Sequence, residues 1–218
     1  MDELALFPLN TVLFPGMPLQ LHIFEERYKL MINQCVQENR PFGVVLIREG
    51  LEALGPLAKP FGVGCTARIV NVSPLTDGQM NIDTVGEERF KILQVTDGKP
   101  YLTAQIEAFP LDENNVAEIM QAADELRPWL IRYLEILAGM GDLEVDFDQI
   151  PQNPVDLAYT SAFILQTNSS TKQTLLEAYN AVNMLSSLQN LYRRETALLK
   201  AMQTQPESPD NAIPFSLN

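Results

Sequence analysis

His22 is the only histidine in the 218-residue chain, so it is the first residue to weigh as a general base. It lies between Leu21 and Ile23 in an extended apolar stretch. That setting reads as a hydrogen-bonded structural residue rather than a general base. One histidine also cannot anchor the usual His-rich metal site. Cys35 and Cys65 stand 30 positions apart, which matches neither a metal-ligand pattern nor a disulfide framework; they read as buried thiols of a reducing compartment. Asp142, Glu144, Asp146 and Asp148 alternate like the start of a calcium loop, but Phe147 and Asn153 occupy the places where glycine and glutamate are needed. Glu87-Glu88 reads as a solvent-facing turn, and Ser169-Ser170 as a helix start rather than a nucleophile.

Larger motifs are missing as well. The chain has no G-x-x-x-x-G-K-[ST] loop for nucleotide phosphates. It has neither a G-x-S-x-G elbow nor an H-E-x-x-H helix. No catalytic residue, metal site or cofactor is therefore expected.

The net charge of −13 is unevenly spread. Residues 1–110 carry 13 acidic and 9 basic groups, residues 111–150 carry 10 and 2, and residues 151–218 carry 5 and 4. Such a chain repels phosphate backbones, so nucleic acid is not an expected partner. The acidic 111–150 segment reads as a solvated face. No apolar run is long enough for a membrane helix, and no basic n-region marks a secretory signal; a cytoplasmic location is expected.

The elements that must position these residues fall into two parts. "FGVVLIR" (42–48), "FGVGCTARIVNV" (61–72), "MNIDTVG" (80–86), "RFKILQV" (89–95) and "YLTAQIEAF" (101–109) are β-branched, partly alternating and strand-like. "SPLTDGQ", "GEE" and "TDGKP" between them read as turns, with Asp77-Gly78 and Asp97-Gly98 suited to tight ones. Short strands at this spacing point to a barrel or sandwich. One helix interrupts them from Glu25, with Tyr28, Met31 or Ile32, and Cys35 on one face and Glu25 and Glu26 in its first turn.

Beyond Pro110 the period changes. Val116, Ile119, Ala123, Leu126, Leu130, Tyr133 and Leu137 recur at steps of three and four, as on an amphipathic helix. Pro128 is expected to kink or break it. Asn153-Pro154 reads as an N-cap with proline at the first helical position, and Ser170 with Gln173 as a capping box. A last helix is expected from Ala181 to Met202, and residues 204–218 as a disordered tail.

The opening "LFPLNTVLFPGMPLQLHIFEERYKLMI", followed by "RPFGVVLI", "VGCTARIVNV" and "NIDTVGEERFKILQV", resembles the N-terminal, substrate-binding domain of Lon proteases. The likeness runs from about residue 4 to residue 199. The resemblance extends to stand-alone bacterial proteins of this one domain. The resemblance implies an α+β fold: a PUA-like β-barrel lobe with one helix over residues 1–110, then an α-helical bundle lobe over residues 111–203. It also implies a non-catalytic module that binds unfolded or exposed apolar polypeptide, with an adaptor role in proteolysis or protein quality control beside a separate protease. The alternative is a small-ligand sensor on the same barrel.

The same opening supplies a candidate surface. "LFPL" is expected as the first strand and "PLQLHIF" as the next, with Pro15-Gly16 bending the chain between them and Pro8 and Pro18 at strand ends or edges. The apolar bend at Phe14, Pro15 and Met17, with Phe24 near the helix start, is the expected polypeptide-binding patch. The flexible thioether of Met17 suits varied clients. The purified chain is expected to hydrolyse neither ATP nor casein; ATP turnover abolished by one point substitution in this chain would overturn that expectation.

Overall fold

The computed structural model describes residues 3–51, 58–96, 98–141 and 146–204. Asp97 of the Asp97-Gly98 turn, Asp142, Glu144 and residues 205–218 of the expected tail lie outside them. Among the described residues, six strands precede four of the five α-helices. They are β1 (Glu3–Leu9), β2 (Pro18–Ile23), β3 (Phe42–Glu49), β4 (Lys59–Pro74), β5 (Met80–Thr96) and β6 (Thr103–Ala108), with α1 (Glu26–Glu38) between β2 and β3. The later helices are α2 (Val116–Met140), α3 (Pro154–Ile164), α4 (Ser169–Leu176) and α5 (Ala181–Thr204). The fold is α+β with a mixed sheet. Its order is β2-β5-β4-β3-β1-β6, and β5 pairs with β6 as well. The β1–β3 pair is parallel and the others are antiparallel.

β5 is one strand where the sequence reads as two strands around a "GEE" turn. Cys65 faces Arg89 and Ala67 faces Gly86, so Thr66 stands opposite both Glu87 and Glu88. This is a β-bulge, which adds a residue and bends the strand without ending it. Thr66 Oγ1 holds the bulge by accepting from the Glu88 N–H at 3.0 Å. The bend lets β5 pair with β2 through its first half and β6 through its second.

α1 buries Tyr28, Met31, Ile32 and Cys35 on one face. They pack with Phe7, Phe42, Cys65 and Ile82 in a core between helix and sheet. Phe7 stacks on Tyr28 with ring centroids 4.0 Å apart.

The second core joins helices and sheet. Leu126, Leu130 and Tyr133 of α2 pack with Leu185, Leu188 and Tyr192 of α5, and Val12, Phe14 and Val63 from the β region enter the same cluster. α2 runs unbroken through Pro128, where a kink or break is expected from sequence. Pro128 and Asp124 are both exposed, so the Asp124 carbonyl that loses its partner stands on the wet face. Tertiary packing of the opposite face outweighs the local cost. Asn153 caps α3 as expected, accepting from the Val155 and Asp156 N–H groups, with Pro154 at the first position. α4 is capped by Asn168, not by Ser170. Gln173 does not reach back to a cap; its Nε2 donates to the Val63 carbonyl at 3.1 Å.

α4 is tied at both ends, to the residue just after β1 and to β5. Ser169 Oγ donates to the Asn10 carbonyl at 2.9 Å. At the other end, Arg89 Nη1 donates to the carbonyls of Leu176 and Ala178 at 2.7 and 2.8 Å. Helix C-termini leave carbonyls unsatisfied and carry partial negative charge, so a cation there is favoured. The guanidinium also lies 4.8 Å from the Phe109 ring centroid.

Two substitutions, with a third as an exposed control, test these contacts. Arg89→Met strands two inward carbonyls and is expected to cost about 2–4 kcal/mol in urea unfolding. Leu130→Asp buries an unpaired charge and is expected to cost at least about 4 kcal/mol, whereas Asp124→Asn on the exposed face changes stability by under about 0.5 kcal/mol. Equal unfolding midpoints for the three variants would contradict this packing.

Candidate functional site: the bend before β2 and its edge

Residues Phe14 to Met17 form a tight turn, in which the Met17 N–H donates to the Phe14 carbonyl at 3.1 Å. Pro15 and Gly16 fill its two central positions, and Gly16 has φ of 76°. Proline followed by a positive-φ glycine is the signature of a type II turn. The turn is pinned to β5 by two backbone hydrogen bonds, Gly16 N–H to the Gly86 carbonyl and Gly86 N–H to the Met17 carbonyl, both at 2.9 Å. Gly86 is required by close approach: a Cβ there would collide with the Phe14 carbonyl.

The four residues expected in the patch do not share one environment. Phe14 is fully buried and belongs to the core shared with the helices. It therefore offers no surface to a client, which corrects its place in the patch. An apolar ring beside a docked turn is drawn inward because the helices supply a closed pocket. Pro15 and Met17 are half-buried, and Met17 packs against both cores. Phe24 is 43% exposed and stacks on His22 with centroids 5.8 Å apart.

β2 joins Met17 to Phe24. It pairs with β5 alone in the strand order, from Pro18 opposite Val85 to Ile23 opposite Met80. Among the described residues its outer side has no strand partner. Pro18, Gln20 and His22 are exposed, while Leu19 and Leu21 are half-buried. The outward side chains brace β2 on β5: Gln20 Nε2 donates to Asp83 Oδ1 at 2.9 Å, and His22 Nδ1 meets Asn81 Oδ1 at 2.8 Å. His22 thus has the hydrogen-bonded structural role read from sequence.

Both cysteines are free and buried. Burial pushes the Cys35 thiol up to about 11 and the Cys65 thiol up to about 12, so neither is a nucleophile near neutral pH. Among the described residues no group of three or more His, Cys, Asp or Glu side chains is placed to hold a metal ion. No described helix is long and apolar enough to cross a membrane.

This α+β arrangement is a known one. The family model described as the ATP-dependent protease La (LON) substrate-binding domain matches residues 3–194. The chain belongs to that family. It is 28% identical over 178 residues to Lon protease 2 of Syntrophobacter fumaroxidans, a match covering 81% of this chain and 22% of that one. It is 26% identical over 201 residues to Lon protease of Anaeromyxobacter dehalogenans, covering 90% and 24%. The chain thus spans about a quarter of the length of the curated relatives it matches. In fold it is similar to the N-terminal domain of Mycobacterium avium complex Lon protease, with TM-score 0.68, 20% identity, and coverage of 88% and 98%. The Lon N-terminal domain protein from Xanthomonas campestris gives TM-score 0.59 at 21% identity, covering 86% and 97%.

Neither the paired-off β2 edge nor the burial of Phe14 is visible in local sequence pattern. The run of short strands could have raised the question of which strand is left at an edge.

The thiols give a direct check. Native protein at pH 8 is expected to resist iodoacetamide at both cysteines and to react fully once unfolded in urea. An unfolded thiol ionises near 9.0, whereas the folded ones hold their protons to about 11 and about 12. Their contribution to stability is therefore complete below pH 9 and is lost as pH rises toward 12. Rapid alkylation of native protein at either cysteine would contradict the burial described.

Proposed function

We propose that the chain is a non-catalytic module that captures unfolded or exposed apolar polypeptide at the β2 edge, between Met17 and Phe24. It would act as an adaptor in proteolysis or protein quality control, in the cytoplasm, with a separate protease as partner. The strand circuit β5–β4–β3–β1–β6 would be a PUA-like β-barrel lobe within residues 1–110, followed by a helical bundle lobe over residues 111–203. The observation that carries the binding reading is the one-sided pairing of β2. An extended client can add a strand to such an edge through main-chain hydrogen bonds, which do not depend on client sequence. Half-buried Pro15 and Met17 at one end, and exposed Phe24 at the other, supply apolar contacts for alternate client side chains. Membership of a family described as substrate-binding supports the same reading.

The test is fluorescence anisotropy with a labelled polypeptide kept unfolded by blocking its cysteines. Phe24→Asp and Met17→Asp are each expected to weaken capture about tenfold or more. Phe24→Asp should leave the melting temperature within about 2 °C, because that ring is largely exposed. A short extended peptide N-methylated at alternate residues is expected to lose binding, since it can no longer pair along an edge. Unchanged capture by the Phe24 variant together with unimpaired binding of the N-methylated peptide would overturn the assignment.

A further inference from the structure

Beyond Pro110 the chain has six basic residues, Arg127, Arg132, Lys172, Arg193, Arg194 and Lys200, against 15 acidic ones. Five of the six line two adjoining grooves along α2 and α5, and only Lys172 lies elsewhere. Arg132 and Lys200 line both, so the grooves are continuous. The larger is about 690 Å³ and has no acidic residue in its lining. The adjoining one is about 580 Å³ and has one, Glu135. In a protein of net charge −13 this is a strong local segregation of positive charge.

The floor of the larger groove has its own character. Trp129, the only tryptophan of the chain, is half-buried there, with the Arg193 guanidinium 5.4 Å from its ring centroid. Thr196 also lines this groove; it is 2% exposed, and among the described residues its Oγ1 has no hydrogen-bond partner. A buried hydroxyl left unpaired is costly unless something supplies the missing bond. Arg127 and Arg194 are engaged, with the Pro151 carbonyl at 3.0 Å and Glu195 at 3.2 Å.

We propose that the α2–α5 groove is a docking site for a short acidic segment of polypeptide. Arginine forks match carboxylates in bidentate pairs. The Trp129 face accepts an apolar or aromatic side chain beside those carboxylates, and the Thr196 hydroxyl gains a partner from the incoming chain. A short peptide fits the charge pattern better than a nucleic acid. Its carboxylates meet the groove within a Debye length of about 8 Å, whereas a long phosphate backbone would also run over the acidic surface around it. The site is distinct from the β2 edge and does not rest on the reading given to that edge.

Trp129 reports on its own groove. Its emission should shift saturably when a short synthetic peptide alternating glutamate with leucine and phenylalanine is added at low salt, and the affinity should fall steeply as salt rises. Arg132→Glu and Lys200→Glu are each expected to weaken binding about tenfold, while Lys172→Glu changes it less than about twofold. Phe24→Asp, at the exposed end of the β2 edge, should bind the acidic peptide like the unaltered protein, which separates this site from the β2 edge. If one reversed variant misfolds, the other and the salt titration of the unaltered protein decide. No saturable shift, or equal affinity in the Arg132, Lys200 and Lys172 variants, would overturn the proposal. Tighter binding of a single-stranded RNA than of the acidic peptide would replace it with a nucleic-acid site.

Discussion

Arg89 sits where the sheet meets the helices, and it is 2% exposed. Among the described residues no carboxylate pairs with it. Its charge is met instead by the carbonyls at the end of α4 and by the faces of Phe109 and Tyr159. A buried cation is costly when unpaired, so this geometry constrains everything around it. Burial pulls its pKa down, and Tyr159 offsets part of that. The bulge at Glu87-Glu88 sets the register in which Arg89 faces Cys65, and the end of α4 must lie within reach of that register.

The same junction explains the shape of the candidate surface. Ser169 holds Asn10 and Gln173 holds Val63, so α4 lies against the segment leading into the Phe14–Met17 turn. Within that segment Leu13 enters the core under α1, while Val12 and Phe14 enter the core of the helices. A chain anchored on both sides and pinned to Gly86 has little freedom to move. β2 therefore starts from a fixed point with one side paired and the other without a strand partner among the described residues. A rigid edge costs little ordering entropy when an extended chain pairs with it.

Much of the element order is legible in the sequence, and the reasons are local. Val116 to Leu137 repeats at helical spacing, and every member from Ile119 to Tyr133 is buried. Asn153-Pro154 carries its own capping chemistry. Tyr28, Met31, Ile32 and Cys35 likewise face inward together. What local pattern does not contain is tertiary compensation. "GEE" has turn composition, yet Thr66 across the sheet makes it a bulge. Pro128 opposes a helix, yet its exposed position and the packed opposite face preserve one. Phe14 lies in the bend expected as a surface patch, yet the helices close over it. Arg89 is one charged residue in a strand-like run. The basic groove is hidden most completely, because its residues come from two segments some 60 positions apart, one of which is net −8.

The central claim is that an incoming polypeptide adds to β2 between Met17 and Phe24. Amide hydrogen exchange with and without a saturating unfolded polypeptide tests it most directly. Pairing along a new edge protects the amides that point outward from that edge and few others in the sheet. Slowed exchange confined to residues 17–24, with β3 and β4 unchanged, is the predicted result. Unchanged exchange along β2 in the presence of bound polypeptide would contradict the claim.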